Sequence, residues 1–160
     1  MNPRASELIR SLNLQPHPEG GFYRETWRSN ISVSVQQRPS RSAMTTIYFL
    51  LAAGSFSAWH RVRADEVWHW YEGEPLELLL ASPDFSIRQR HRLGPVNAGT
   101  EPVMTVPADW WQAAQPLGDY ALCGCTVAPG FEFEDFAFLR DHSGACDALR
   151  TASPELLSLL

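Results

Sequence analysis

Short stretches with strand character recur about every ten residues along most of this 160-residue chain. Gly, Pro, Asn or Asp, which favour turns, separate most of them. Many short strands joined by regular turns are typical of an antiparallel sandwich or barrel. The sequence therefore predicts an all-β fold, with strands at residues 31–35, 44–51, 55–60, 66–71, 76–80, 87–93, 102–106, 120–127 and 131–138.

A short helix is predicted at each end of the chain. Asn2 followed by Pro3 is typical of a helix cap and first helical position, and apolar residues follow at helical spacing. Ser153 before Pro154 is typical of a second helix start. The length favours one domain. We therefore predict a single domain over residues 1–160, with an N-terminal helix in 1–15, a barrel in 18–138 and a C-terminal tail in 139–160.

Composition narrows the functional classes. The formal net charge of −5 argues against a nucleic acid or an acidic membrane surface as partner. The chain has no apolar stretch long enough to span a membrane and no apolar signal core, which predicts a cytoplasmic protein. All 13 basic residues are Arg, and the absence of Lys excludes Schiff-base chemistry and a Walker-type phosphate loop.

The strongest candidate for a functional site lies between two glycines at positions 54 and 73. Strand alternation places His60 on one face of its strand. Glu66, Trp68 and Trp70 lie two residues apart on the next strand and therefore share one face of it. A His and a carboxylate among aromatic rings are typical of proton transfer or of metal binding. The structural alternative is a His60–Glu66 pair that only pins a hairpin. We predict an inward-facing pocket in which His60 is the only imidazole.

Two further side chains are predicted to join this pocket. Gln112 is the polar residue of an aromatic segment, residues 106–114. Tyr48 and Thr46 share one strand face, which we expect to be the inward one. We therefore predict His60 and Glu66 as catalytic residues, with Tyr48, Trp68, Trp70 and Gln112 as residues that contact a small-molecule ligand.

The spacing of these residues resembles the first motif of the cupin superfamily, G-(x)5-H-x-H-(x)3-E-(x)6-G, in which Val62 replaces the second His. Residues 106–114 resemble the second motif, with Gln112 at the position of its His. The chain is further similar to an uncharacterised branch of small single-domain cupins. That resemblance rests on PEGGFYRET at 18–26, TIYFLL at 46–51, HRV at 60–62, DEVWHWY at 65–71, WQAA at 111–114 and VAPGFEFEDF at 127–136.

The resemblance implies a double-stranded β-barrel (jelly roll), usually in a homodimer. Metal-dependent cupins generally present three His and one Glu, whereas these positions here hold His60, Val62, Glu66 and Gln112. We therefore expect no cofactor; the alternative is a divalent transition metal held by His60, Glu66 and Gln112. This branch more distantly resembles the dTDP-sugar 3,5-epimerases, which use the barrel without a metal.

Three functions follow from these expectations. The first is a metal-independent isomerase or epimerase that acts on a sugar-like or carbonyl-containing substrate through His60, with a Tyr hydroxyl returning the proton. The second is a ligand-binding module without catalysis. The third is a metal-dependent oxygenase with a degenerate site.

Overall fold

Two antiparallel sheets face each other in the computed structural model, which describes all residues 1–160. Strands β1 to β13 span Gln15–Pro16, Phe22–Arg28, Ser32–Val33, Arg41–Ser42, Thr45–Ala52, Ser57–Val62, Asp65–Gly73, Leu76–Ala81, Arg88–Leu93, Val103–Val106, Trp111–Pro116, Tyr120–Ala128 and Phe136–Phe138. Helices α1 and α2 span Pro3–Ser11 and Ser143–Ala152, and short 3₁₀ helices span Phe133–Asp135, Leu139–Asp141 and Pro154–Leu159.

The strand order is that of a jelly roll. One sheet runs β1-β2-β5-β12-β7-β10, and the second runs β13-β6-β11-β8-β9. A separate two-stranded ribbon pairs β3 with β4. Consecutive strands of the chain alternate between the two large sheets over much of its length, which closes them around one interior. The all-β prediction of a double-stranded barrel is confirmed.

Alternation along the strands divides most of the apolar side chains between three clusters. The interior between the sheets holds the largest one, which includes Phe49, Trp68 and Leu78. The outer face of the five-stranded sheet is covered by α2 and the C-terminal 3₁₀ helix, which pack against Trp59 and Trp111. Helix α1 packs against part of the outer face of the six-stranded sheet. Neither α1 nor α2 has the length and apolar character of a membrane-spanning helix.

The structure confirms part of what the sequence predicts for the two ends of the chain. Asn2 caps α1 as predicted, because its side chain accepts the backbone N–H of Arg4 at 2.9 Å. The predicted C-terminal helix is the 3₁₀ helix Pro154–Leu159. Helix α2 and strand β11 were not predicted. The strand predicted at 131–138 is wrong over its first half, where a 3₁₀ turn replaces it.

Candidate functional site

A cavity of about 280 Å³ lies against the inner side of the six-stranded sheet and β6. Strands β2, β5, β6, β7 and β12 contribute side chains to its lining, as do the loop before β2 and the segment after β12. Its polar residues are His17, Glu19, His60 and Glu66, with Gln15, Arg24, Glu25, Arg28 and Glu132 also in the lining. The remaining lining residues are apolar, aromatic or small: Tyr23, Thr45, Ile47, Val62, Cys125, Val127, Phe131 and Phe133.

The central contact of the cavity joins His60 to Glu19. His60 Nε2 lies 3.3 Å from Glu19 Oε2, and both side chains are buried. His60 Nδ1 lies 2.8 Å from the carbonyl oxygen of Ala58, which only accepts hydrogen bonds, so Nδ1 carries a proton. In the neutral imidazole, Nε2 is then an acceptor directed at Glu19. Ser57 Oγ donates to the other carboxyl oxygen, Oε1, at 2.8 Å.

Burial sets the charge state of this pair. It raises the pKa of Glu19 from 4.5 to about 8, although the hydrogen bond from Ser57 acts in the opposite direction. Burial also lowers the pKa of His60, against the attraction of Glu66. The neutral forms are therefore favoured near pH 7, with one proton between Glu19 Oε2 and His60 Nε2.

A second imidazole borders the same carboxyl group. His17 Nδ1 accepts the backbone N–H of Glu19 at 3.2 Å and lies 3.6 Å from Glu19 Oε2. Burial and the nearby His60 lower the pKa of His17 to about 4, so it is neutral at pH 7. The prediction that His60 is the only inward-facing imidazole is wrong, because the loop before β2 brings in His17.

Glu66 belongs to a different hydrogen-bond chain. Gln112 Nε2 donates to Glu66 Oε2 at 2.6 Å, and Trp68 Nε1 donates to Gln112 Oε1 at 2.9 Å. Burial raises the pKa of Glu66, and the nearby Glu19 adds to this increase. The carboxyl group in contact with His60 is Glu19 rather than the expected Glu66.

The structure separates the six predicted residues into four positions. His60 and Glu66 line the cavity. Trp68 and Gln112 are fully buried behind Glu66 and do not line it. Trp70 packs against the barrel core and donates to the carbonyl oxygen of Glu74. Tyr48 lies outside the barrel, where Arg24 and Tyr71 contact its ring.

The inward orientation expected for Thr46 and Tyr48 is wrong. Thr45 and Ile47 line the cavity, so strand alternation turns Tyr48 to the outer face of β5. The aromatic walls come instead from Tyr23 on β2 and from Phe131 and Phe133 after β12. Strand alternation divides the side chains of β5 between two faces, but the sequence of β5 alone does not say which face points into the barrel.

Glu19 is the residue that the sequence-based site omits. Its signal was present in the Pro18-Glu-Gly-Gly turn, for which local sequence offered no role. Gly20 has φ +114°, and a Cβ there would overlap the carbonyl oxygen of Phe56. The backbone of the turn therefore lies directly against the start of β6, and Ala58 N–H donates to the carbonyl oxygen of Glu19 at 2.8 Å. This approach places Glu19 beside His60.

The side chains present do not fit a cupin-type metal. Val62 supplies no donor atom, and both ends of the Gln112 amide are already hydrogen-bonded to Trp68 and Glu66. No three His, Cys, Asp or Glu side chains come together in a group able to hold a metal ion. The ligand set proposed as the alternative, His60 with Glu66 and Gln112, is therefore a poor one.

Residues 6–139 match the model of a family described as Cupin superfamily (DUF985). The chain belongs to this family. A protein of Shewanella oneidensis, SO0799, has a solved structure with 34% sequence identity and a TM-score of 0.80, covering 97% of this chain and 93% of that one. A hypothetical protein from Leishmania major has 32% identity and a TM-score of 0.82, covering 94% and 93%.

A third relative also has no assigned function. An uncharacterised protein of Saccharomyces cerevisiae is 26% identical over 149 residues, which cover 84% of this chain and 74% of the yeast protein. The comparisons thus establish the cupin family and its fold.

Proposed function

We propose that this protein is a metal-independent isomerase or epimerase that moves a proton on a small sugar-like or carbonyl-containing substrate. One observation carries the proposal: the buried side chains of Glu19 and His60 lie 3.3 Å apart on the wall of a cavity large enough for such a molecule. Perturbed acid and base groups in direct contact within a cleft are typical of general acid–base catalysis.

The proton balance of the reaction is simple. When the shared proton lies on His60 Nε2, Glu19 is a carboxylate and accepts the proton from the carbon next to the substrate carbonyl. The electrons of that C–H bond form the C=C bond of an enolate, and the carbonyl π electrons move to oxygen. Return of a proton to the other face of the same carbon gives the epimer. In an aldose–ketose isomerisation the proton returns to the former carbonyl carbon, while the hydroxyl proton of the adjacent carbon moves to the enolate oxygen. Tyr23 is the one tyrosine in the cavity lining and replaces Tyr48 as the candidate for returning the proton.

The test is deuterium exchange, because it detects proton abstraction whatever product is formed. Purified protein is incubated in deuterium oxide with a panel of aldoses, ketoses and 2-oxo acids, and C–H exchange is followed by NMR. We expect exchange next to the carbonyl of at least one class. His60→Ala and Glu19→Gln should each abolish it while the thermal transition is kept.

Matched controls keep this test specific. His91 and Glu74 are partly or fully exposed residues away from the cavity, so His91→Ala and Glu74→Gln should exchange at the wild-type rate. Exchange that survives in Glu19→Gln would remove the acid–base mechanism. Saturable binding of a panel member without any exchange would favour a binding module, for which the aromatic walls Tyr23, Phe131 and Phe133 are suited.

A further inference from the structure

The chain of hydrogen bonds from Trp68 through Gln112 to Glu66 has a fixed direction. All three side chains belong to residues that are at most 7% exposed, so water does not compete for these bonds. An indole N–H is only a donor, and the amide end that faces it has to be the oxygen of Gln112. The NH₂ end of Gln112 then faces Glu66 Oε2, which accepts at 2.6 Å.

This direction decides where a proton on Glu66 resides. Oε2 is occupied as an acceptor and lies on the side of Gln112, which does not line the cavity. A proton on a neutral Glu66 therefore belongs on the other oxygen, Oε1, and Glu66 itself lines the cavity. Glu66 is 7% exposed and has no Arg partner, so burial raises its pKa, although His60, Gln112 and Cys125 act in the opposite direction.

We propose that Trp68 and Gln112 are positioning residues that hold Glu66 as a hydrogen-bond donor toward the cavity, so that the site recognises an uncharged acceptor oxygen such as a carbonyl. This inference rests on the proposed function and names the part of the substrate that Glu66 binds. An ionised Glu66 would select the opposite chemistry, a cation or a donor group. In the isomerisation, a donor at this position stabilises the developing enolate oxygen while Glu19 accepts the carbon proton.

The substrate-free protein allows a direct test by infrared spectroscopy at pH 7. The difference spectrum between wild type and Glu66→Gln should contain the C=O stretch of an un-ionised carboxyl group. The matched control is Glu77, a second buried carboxyl group that instead receives Arg90 Nη1 and Gln115 Nε2 at 2.9 Å each. Glu77→Gln should remove only carboxylate bands. Carboxylate bands lost in Glu66→Gln as well would overturn the proposal.

The positioning role has its own readout. In the wild type the C=O oxygen of Glu66 accepts a hydrogen bond from Gln112, which lowers its stretching frequency. Trp68→Phe removes the donor that orients Gln112, and Gln112→Leu removes the amide itself; both should raise this frequency. Gln112→Leu keeps the indole in place, so one variant remains if the other does not fold. An unchanged frequency in a folded variant would show that the chain does not direct the proton.

These spectra are independent of turnover. If no substrate shows deuterium exchange but the neutral Glu66 band responds as described, the proposed reaction fails and the donor site stands. If exchange occurs while Glu66 is ionised, the reaction stands and the assigned role of Glu66 fails.

Discussion

Glu19 is the residue whose surroundings decide the chemistry of this cavity. One carboxyl oxygen accepts from Ser57, while the other faces the unprotonated Nε2 of His60. A neutral carboxyl group satisfies both partners, since it accepts on one side and donates on the other. A glutamine side chain offers the same pattern, with its oxygen toward Ser57 and its NH₂ toward His60. Glu19→Gln is therefore a close mimic of the neutral site that has lost the mobile proton.

This mimicry leads to a prediction about stability and pH. The pKa of Glu19 rises from 4.5 to about 8 on folding, so the folded state holds the proton more tightly than the unfolded chain. Its contribution to the free energy of unfolding is fully present below pH 4.5 and is lost as pH rises through about 8. Wild type should therefore lose stability relative to Glu19→Gln over this range, by roughly 2–5 kcal/mol.

Urea unfolding of both proteins at several pH values, from about 4 to about 9, measures the difference. Subtracting the two curves cancels the contributions of His17, His60 and Glu66 to the extent that the substitution leaves them unchanged. A difference that stays constant with pH would mean that Glu19 is ionised in the folded protein, and the neutral pair would have to be abandoned.

At the scale of elements, the turn before β2 holds the site together. Gly20 lies at φ +114° with the carbonyl oxygen of Phe56 in the place of a Cβ, whereas Gly54 at φ +81° has open space around it. Gly54→Ala should cost only the strain of a positive φ, roughly 1 kcal/mol. Gly20→Ala should cost more, and the displaced turn should remove Glu19 from His60. Thermal unfolding and the exchange assay measure both effects; equal losses in the two variants would contradict this account of the turn.

The cavity wall after β12 depends on a buried ion pair. Arg41 on β4 holds Asp135 through Nε at 2.8 Å and Nη2 at 3.3 Å, and Arg38 lies 3.3 Å from the same carboxylate. Burial opposes ionisation of Asp135, but the hydrogen bonds from Arg41 and Arg38 outweigh it and lower the pKa. The 3₁₀ turn that follows Phe131 is thereby fixed to the β3–β4 ribbon.

Arg41→Met should therefore destabilise the protein by roughly 3 kcal/mol, because it leaves a buried carboxylate with one partner fewer. Amide hydrogen exchange should also become faster in residues 129–135, where Phe131 and Phe133 form the wall. The control is Arg4→Met, which removes an exposed pair with Glu72 and should cost much less, because water screens such a pair. Equal stability of the two variants would show that the Arg41 pair does not hold the wall.

The strands and turns also show what the sequence can predict here. Alternation and turn residues identify β5, β7, β8 and β12, and the motif spacing places His60 and Glu66 at one cavity. Strand β11 was not predicted because Trp111-Gln-Ala-Ala-Gln-Pro has no alternation of apolar and polar residues. Its first four residues are buried on both faces. The contact between Glu19 and His60 joins two residues far apart in the chain through a turn packed against β6, and no local pattern encodes such a contact.

At the scale of the whole molecule, one sheet face remains uncovered. Beyond the part packed by α1, the outer face of the six-stranded sheet presents Arg24 on β2, His69 on β7 and a mostly uncharged set of side chains: Thr46, Val67, Tyr71, Val103, Thr105 and Thr126. Tyr71 is 49% exposed and Val103 45%. The corresponding face of the five-stranded sheet is buried under α2. Because Val67 is flanked by Thr105 and Thr126, the middle of this face can meet a second copy of itself without like-charge repulsion.

We therefore expect a symmetric homodimer that pairs these two sheet faces, since a two-fold contact joins the same surface on both copies. Light scattering at micromolar concentration should give a particle of twice the 18.0 kDa chain mass. Val67→Glu brings like charges together in the middle of this contact and should yield the 18.0 kDa monomer. Gln89→Glu places the same charge on the exposed edge strand β9 and should leave the dimer intact. A wild-type monomer, or a dimer that survives Val67→Glu, would exclude this face as the interface.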